Sequence, residues 1–369
     1  MAHIERRVSD RRGVDGPARR TVRYKVRYRD PSGREHSETK TRRVDAERRK
    51  SEIELEMAVG SWRDPRRGDV LLHVWVEEWL PTRHDLRATT RARLETTMAH
   101  QVLPRFGATA LRRITNSDVR RWVAEMLSSG LSAATTRKAV FGLRQTLEAA
   151  IADGRLSHNA AAAVPLPPER QKPPRYLSQP QVERLVAEIP VRDRALVLVG
   201  AYAGLRWGEA AGLRRRDVDA LRSRIRVCGT AVQLHGQVTL DNEPKTTRSK
   251  RTVPLARSIM RRVEQHLDEY VEPSPDSLVF TAPGGGPLYR AWGQKVLEPA
   301  VRRAGLEGIT FHGLRHSFVA IMVAAGCNVR EVSEWAGHNS VAFTLTRYGG
   351  LFEDDTDAAV DRLDALLQP

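Results

Sequence analysis

Two histidines and an arginine fall within five residues in FHGLRHSF (311–318). On a helix, positions i, i+3 and i+4 share a face, so His312, Arg315 and His316 bring three basic groups together. Such a cluster is stable only if a metal, a buried carboxylate or an anion compensates it. Zinc fits poorly. Arg315 would set a permanent cation beside the metal, and the nearby carboxylates, Glu331 and Glu334, belong to the next helix, although His338 could supply a third imidazole. Either histidine alone reads as a side chain satisfied by backbone groups. An anion accounts for all three together, and a phosphate suits the planar fork of the arginine.

Other segments offer groups that such a phosphate could use. GAYAGLRWGEAAGLRRRDVD (200–219) places Arg206 after a glycine turn at a helix start, with Glu209 three residues on to hold the guanidinium; alone, the pair reads equally well as an ordinary helical ion pair. EPKTTRSKRTVPL (243–255) places Lys245 near a turn between strands, with Lys250 as a competitor. An arginine stays protonated at neutral pH, whereas a lysine with a lowered pKa can give up a proton. A solvated turn lysine is the plainer reading, but only 8 of the 61 basic residues are lysines, so each is notable. WAGHNSVAFTLTRYGG adds His338 at a Gly-His turn and Tyr348 ten residues later.

The composition supports a nucleic-acid partner. The 369 residues carry a net charge of +16, with 29% charged and 40% hydrophobic residues, enough for two or three domains with real cores. Cys228 and Cys327 are far apart and have no CxxC companion, which argues against a disulfide framework or a cysteine-zinc finger and fits a reducing cytoplasm. The start, MAHIERRVSDRRG, has no apolar leader, and no run of 18 apolar residues occurs, so a soluble chain without membrane contact is expected. APGGGPLY lacks the GK[ST] of a phosphate loop and reads as a turn.

The elements that must position these groups fall into three segments. Residues 1–66 are expected to form a small basic domain. Residues 1–18 read as a disordered tail, TVRYKVRYRD as a strand, DPSG as a turn, and 45–58 as a helix capped by Asp45. Along the strand Val22, Tyr24, Val26 and Tyr28 alternate with Arg23, Lys25, Arg27 and Arg29. Ten Lys/Arg against three Asp/Glu over residues 19–43 favour a sheet laid against DNA over a merely solvated face. GSWRDPRRGD (60–69) reads as a linker. Residues 67–165 form a helical domain, with Asn116 or Ser117 capping one helix and Gly130 and Gly154 ending two. The proline-rich stretch 163–176 is a spacer, with 166–176 as the boundary between domains. Residues 177–369 are mixed, mostly helical with short strands near 224–255. The fold class is therefore multidomain and mainly α with small β elements.

Arg206, Lys245, the H-x-x-R pair His312 and Arg315, His338 and Tyr348 resemble, in order and context, the active site of the tyrosine recombinases, the phage-type integrases. AGLRWGEAAGL, KTTRSKRTVPL, HGLRHS and AGHNSVAFTLTRYG carry the resemblance, most specifically in the C-terminal half. The N-terminal half is similar to the integrase plan of an arm-binding domain followed by a core-binding domain. One departure is YGG, where a histidine or other polar residue is frequent two positions after the tyrosine.

The resemblance implies a site-specific recombinase without cofactor or metal. Tyr348 would attack the scissile phosphate to leave a 3′-phosphotyrosine and a free 5′ hydroxyl. Arg206 and Arg315 would grip the non-bridging oxygens, Lys245 would protonate the leaving oxygen, His312 would assist at the tyrosine, and His338 would bond the phosphate. His316 is expected to be structural or to stand behind these groups. The implied partners are core-type and arm-type sites on double-stranded DNA, DNA-bending accessory or directionality factors, and three further copies in a homotetramer, since exchanging four strands needs one site per strand. In DDTDAAVDRLDALL, Ala359, Leu363, Leu366 and Leu367 form a helical stripe suited either to a neighbouring protomer or to its own domain. Two other readings remain: a type IB topoisomerase, which a second DNA-binding domain argues against, and a non-catalytic DNA-binding regulator, which a Tyr348-linked adduct would exclude.

Overall fold

A computed structural model describes residues 2–13, 16–60, 62–168, 175–241 and 250–352, with residues 360, 364, 365 and 367 near the C-terminus. Residues 1–170 and 171–369 form two compact units.

The first unit opens with an antiparallel sheet, β1 (His3–Gly13), β2 (Gly16–Arg29) and β3 (Glu35–Lys40), in the order β1-β2-β3, followed by α1 (Arg43–Ala58). The expected disordered tail is therefore a strand. β1 pairs along β2 from His3↔Arg27 to Gly13↔Gly16, and its Ile4 and Val8 lie opposite Val26 and Val22. Ile4 packs against the small core while Val8 stays exposed, so backbone pairing and one apolar cross-strand contact hold this strand. Val26 and Tyr28 are buried with Ala46 and Ile53 of α1, and Tyr24 packs at their edge. Arg42 caps α1, leaving Asp45 in the first turn. The expected linker at 60–69 is also structured. Trp62 packs its ring on Tyr28 and His36, with centroids 6.1 and 5.1 Å apart, and Asp64 opens a 3-10 turn over Pro65–Asp69.

A second core in this unit joins α2 (Leu72–Trp79), α3 (Ala88–Thr97), α4 (Leu103–Phe106), α5 (Asn116–Ser128) and α6 (Ala133–Ala152). Its centre holds Leu72, Met98, Phe106, Leu143 and Leu147. Thr115, one residue before the expected caps Asn116 and Ser117, starts α5. Its hydroxyl accepts from Asp118 N–H at 3.2 Å while the Asp118 carboxylate accepts from Thr115 N–H at 3.1 Å. Within the proline-rich spacer, Val164 belongs to this core, and residues 169–174 lie outside the described residues.

The second unit contains α7 (Gln179–Ala187), α8 (Arg194–Tyr202), α9 (Trp207–Ala211), β4 (Val218–Asp219), β5 (Arg224–Val227), β6 (Thr230–Leu234), β7 (Gln237–Asp241), β8 (Arg251–Pro254), α10 (Arg257–Tyr270), α11 (Glu298–Arg303), α12 (Phe311–Ala324), α13 (Val329–Ala336) and α14 (Val341–Tyr348). β4, β5 and β8 make one small sheet and β6–β7 a hairpin. Helix α8 is buried from Ala195 to Tyr202, so it reads as a continuous apolar run with no polar face. It packs on α12 through Gly200, where even a methyl group would press on Leu314 and Phe311. Ser317 of α12 accepts from the Leu177 N–H at 2.8 Å, tying the start of the unit to this helix.

Gly204, after α8, turns the chain toward Arg206. Its φ is +62°, and an added Cβ would lie 2.5 Å from Phe318 Cδ1. Left-handed backbone and a closed neighbour act together here. Gly204→Ala is expected to destabilise the chain by on the order of 2–4 kcal/mol in urea unfolding; a change under about 0.5 kcal/mol, the surface range, would contradict this packing.

Candidate active site

Arg206 caps α9 with extended backbone, φ −70° and ψ 155°. Its N–H donates to Glu209 Oε2 at 2.8 Å, and its guanidinium donates to Glu209 Oε1 at 2.8 Å and to the Gly337 carbonyl at 2.7 Å. Glu209 is 8% exposed. Arg251, at the start of β8, donates to both of its oxygens at 3.0 and 2.8 Å and to the Trp335 carbonyl at 2.6 Å. Burial pushes the Glu209 carboxyl up, but hydrogen bonds and charge from Arg251, with Arg206 adding to them, hold it at about 2. One carboxylate thus fastens α9, β8 and the end of α13. Gly337 ends α13 at φ +64°, and an added Cβ would lie 3.1 Å from Arg251 Nη1, so the turn that carries His338 closes directly over this pair.

Helix α12 starts at the Thr310 cap, whose hydroxyl accepts from Gly313 N–H at 3.2 Å. Its basic residues then part company. Arg315 turns inward, 2% exposed, and donates through Nη1 to the Gly204 carbonyl at 2.7 Å. Its buried Nη2 has no protein partner. Burial, joined by the charges of Arg206 and Arg251, pulls this guanidinium down to about 9, leaving it cationic at neutral pH. His312 is exposed and meets the ring of His316 edge-on, centroids 4.8 Å apart. His316 is half-buried, and its Nδ1 is hydrogen-bonded to the Tyr348 hydroxyl. Burial, then the charges of His312, Arg347 and Arg315, lower His316 to about 4, so the imidazole is neutral at pH 7.

Tyr348, the last residue of α14, is 4% exposed. Burial raises its hydroxyl above the ordinary value, while Arg315 and Arg347 pull the other way. The His338 ring stacks on it, centroids 6.0 Å apart and 8° from parallel. His338 Nδ1 is engaged with Thr344 Oγ1 at 2.7 Å. Burial and then the three arginines Arg315, Arg206 and Arg251 lower this histidine to about 3. An exposed arginine edge, a buried arginine with an unpartnered N–H, three neutral imidazoles and a hydroxyl therefore gather in one place, a cationic cluster beside a buried phenol.

Comparison with known proteins assigns the chain to a family. Residues 175–353 match the Phage integrase family, and residues 72–127 match its N-terminal SAM-like domain. The tyrosine recombinase XerC of Xanthomonas axonopodis pv. citri is 30% identical over 236 residues, 62% of this chain and 72% of that protein. The chain belongs to the phage integrase family of tyrosine recombinases. A prophage phiRv2 integrase of Mycobacterium tuberculosis is 27% identical over 341 residues, 88% of each chain. The recombinase fold is shared with the Tn1549 transposon integrase, solved with transposon right-end DNA, at a TM-score of 0.67 and 20% identity over 80% of this chain and 100% of that one.

Of the residues singled out from the recombinase sequence, Arg206, His312, Arg315, His338 and Tyr348 converge, while Lys245 lies outside the described residues. Ala359, Leu363 and Leu366 of the C-terminal stripe also lie outside them, and Leu367 is exposed. His316, expected to stand behind the site, touches the tyrosine hydroxyl. Arg251 was passed over, although RTVP alternates and puts an arginine in register with the core residue Val253; both are buried. On β2, Arg23 and Arg29 are exposed, Arg27 lies 3.4 Å from Glu35 and 3.7 Å from Glu5, and Lys25 stands opposite Glu5. Among the described residues no group of three or more His, Cys, Asp or Glu could hold a metal, and no helix is long and apolar enough to cross a membrane.

Arg251→Met should leave Glu209 buried beside the single, more exposed Arg206, a loss of about 3–5 kcal/mol in urea unfolding at pH 7. The folded carboxyl lies below its ordinary 4.5, so its stabilisation is complete above that pH and lost as the pH falls toward 2. The gap between wild type and variant should narrow over the same interval; a gap constant from pH 7 to 3 would contradict the assignment.

Proposed function

We propose that the recombinase cuts and rejoins DNA with Tyr348 as the nucleophile and Arg206, Arg315 and the neighbouring histidines as the phosphate site. The observation that carries this reading is the buried, unpartnered Nη2 of Arg315 beside a buried tyrosine hydroxyl. A buried guanidinium donor without a partner is costly, and a non-bridging phosphate oxygen satisfies it. Arg206, whose side chain is 42% exposed, holds one edge on Glu209 and Gly337 and offers the rest to the same anion. Attack by Tyr348 Oη on phosphorus forms the 3′-phosphotyrosine and releases the 5′ oxygen, to which Lys245 gives a proton. Charge building on the phosphoryl oxygens is met by groups already in place. The ester retains the energy of the broken bond, so the reverse attack by a 5′ hydroxyl rejoins the strand.

The substrate is double-stranded DNA of a phage or mobile element in the cytoplasm, where the nucleoid lies. Exchange of four strands calls for four such sites, hence a homotetramer on paired core sites, with DNA-bending or directionality factors setting the outcome. The sheet of β1–β3 binds a second, arm-type site through Arg23, Lys25, Arg27 and Arg29.

Replacing Tyr348 with Phe keeps the ring against His338 and removes the only atom able to form the ester. Core-site binding should persist while covalent adduct on a nicked duplex disappears; an adduct still formed, mapped by peptide mass to another residue, would overturn the nucleophile. For the sheet, alanine at both Arg23 and Arg29 should lower the slope of log K against log salt for arm DNA by about 2, leaving core-site binding unchanged. An unchanged slope would remove the sheet from the DNA interface.

A further inference from the structure

The Tyr348 hydroxyl needs a group to take its proton, and two histidines on α12 compete for that task. His312 and His316 lie one turn apart, but the hydrogen bond to Tyr348 Oη is made by His316 Nδ1. His312 contacts the His316 ring instead. His338 stacks face-on against the tyrosine and has its own Nδ1 on Thr344, so it offers that nitrogen no path to Oη.

Resting on Tyr348 as the nucleophile, we infer that His316 is the catalytic base of strand cleavage: its Nδ1 takes the phenolic proton as Oη closes on phosphorus. The Oη–P bond forms, the P–O5′ bond breaks, one proton passes from Tyr348 to His316, and one passes from Lys245 to O5′. Religation returns both. His312, exposed at the start of α12, is left to meet the phosphate.

Burial and the surrounding cations keep His316 neutral before DNA arrives, so its Nδ1 has a lone pair to accept with. The charged and titratable groups facing it are His312 and Arg315 on its own helix, Tyr348 and Arg347 on α14, and His338 in the turn after α13. None of these is removed by changing His316 itself.

The test is single-turnover adduct formation on a nicked duplex carrying the core site from the chromosomal junctions of the element, with wild type, His316→Asn, His312→Gln and Tyr348→Phe, from pH 6 to 9. Asparagine places an oxygen near the position of Nδ1, so it can accept the hydrogen bond but cannot carry the proton. His316→Asn should keep its melting temperature and core-site affinity and lose about 10²–10⁴-fold in rate at pH 7. Its rate should then climb close to tenfold per pH unit, because hydroxide replaces the missing base. A 5′-bridging phosphorothiolate, whose sulfur leaves without a proton, should rescue Lys245→Ala and leave His316→Asn slow. A wild-type rate in His316→Asn, a loss of equal size at every pH, a faster adduct, or pH-dependent recovery confined to His312→Gln would overturn the proposal. An adduct persisting in Tyr348→Phe would instead refute the nucleophile on which it rests.

Discussion

Glu209 is a buried carboxylate held between two guanidinium groups, and the geometry of the site follows from that placement. Arg251 grips both of its oxygens from β8, and Arg206 grips it from the cap of α9. The same two arginines reach the carbonyls of Trp335 and Gly337, which fixes the turn carrying His338. A buried ion pair is a poor source of net stability, because desolvation consumes most of the Coulomb attraction. Its value here is positional. An apolar pair in place of Glu209 and Arg251 could pack as well, but nothing would then orient Arg206 or hold the Gly337 turn against β8.

The charges also sort ground state from transition state. Two guanidinium groups pair with one carboxylate and Arg315 adds a third cation nearby, leaving an excess of two positive charges. A phosphodiester brings one negative charge, and the five-coordinate species on the path to the phosphotyrosine brings two. The site is thus better matched to the second than to the first, which is the condition for lowering a barrier rather than merely binding tightly. On the proposed mechanism, Arg315 contributes most to this difference. It is the most buried of the three, its Nη2 has no other partner, and the low polarity around it magnifies each interaction it makes.

Much of this was legible in the chain. Local periodicity exposed the alternation of β2, the helical middle segment and the i, i+3, i+4 cluster on α12. The resemblance joined residues 142 positions apart, Arg206 and Tyr348, that no local pattern connects. What escaped reading did so for tertiary reasons. The tail became β1 because its backbone pairs along β2 and Ile4 reaches the small core, which a charge count does not reveal. Arg251 hid in a short strand whose inward face carries a charge, an arrangement tolerable only because Glu209, 42 residues away, meets it. His312 and His316 are the same residue type on the same face, so spacing alone could not say which one meets the tyrosine; the approach of α14 decides it.

On the proposed mechanism, that approach also explains how a buried tyrosine is held inert alone and made reactive on DNA. With neutral imidazoles and a hydroxyl raised by burial, the free site holds no phenolate to attack a stray electrophile. Phosphate brings negative charge toward His312, His316 and Arg315. A negative charge close by raises the proton affinity of an imidazole, so His316 becomes a stronger base only when the atom to be attacked is present. The arginines work the other way on the phenol, favouring its ionised form as Oη approaches phosphorus. Each source of charge moves imidazole and phenol the same way, phosphate raising both and the arginines lowering both, so on the proposed mechanism the transfer is driven by phosphorus taking up the phenolic oxygen as its proton leaves.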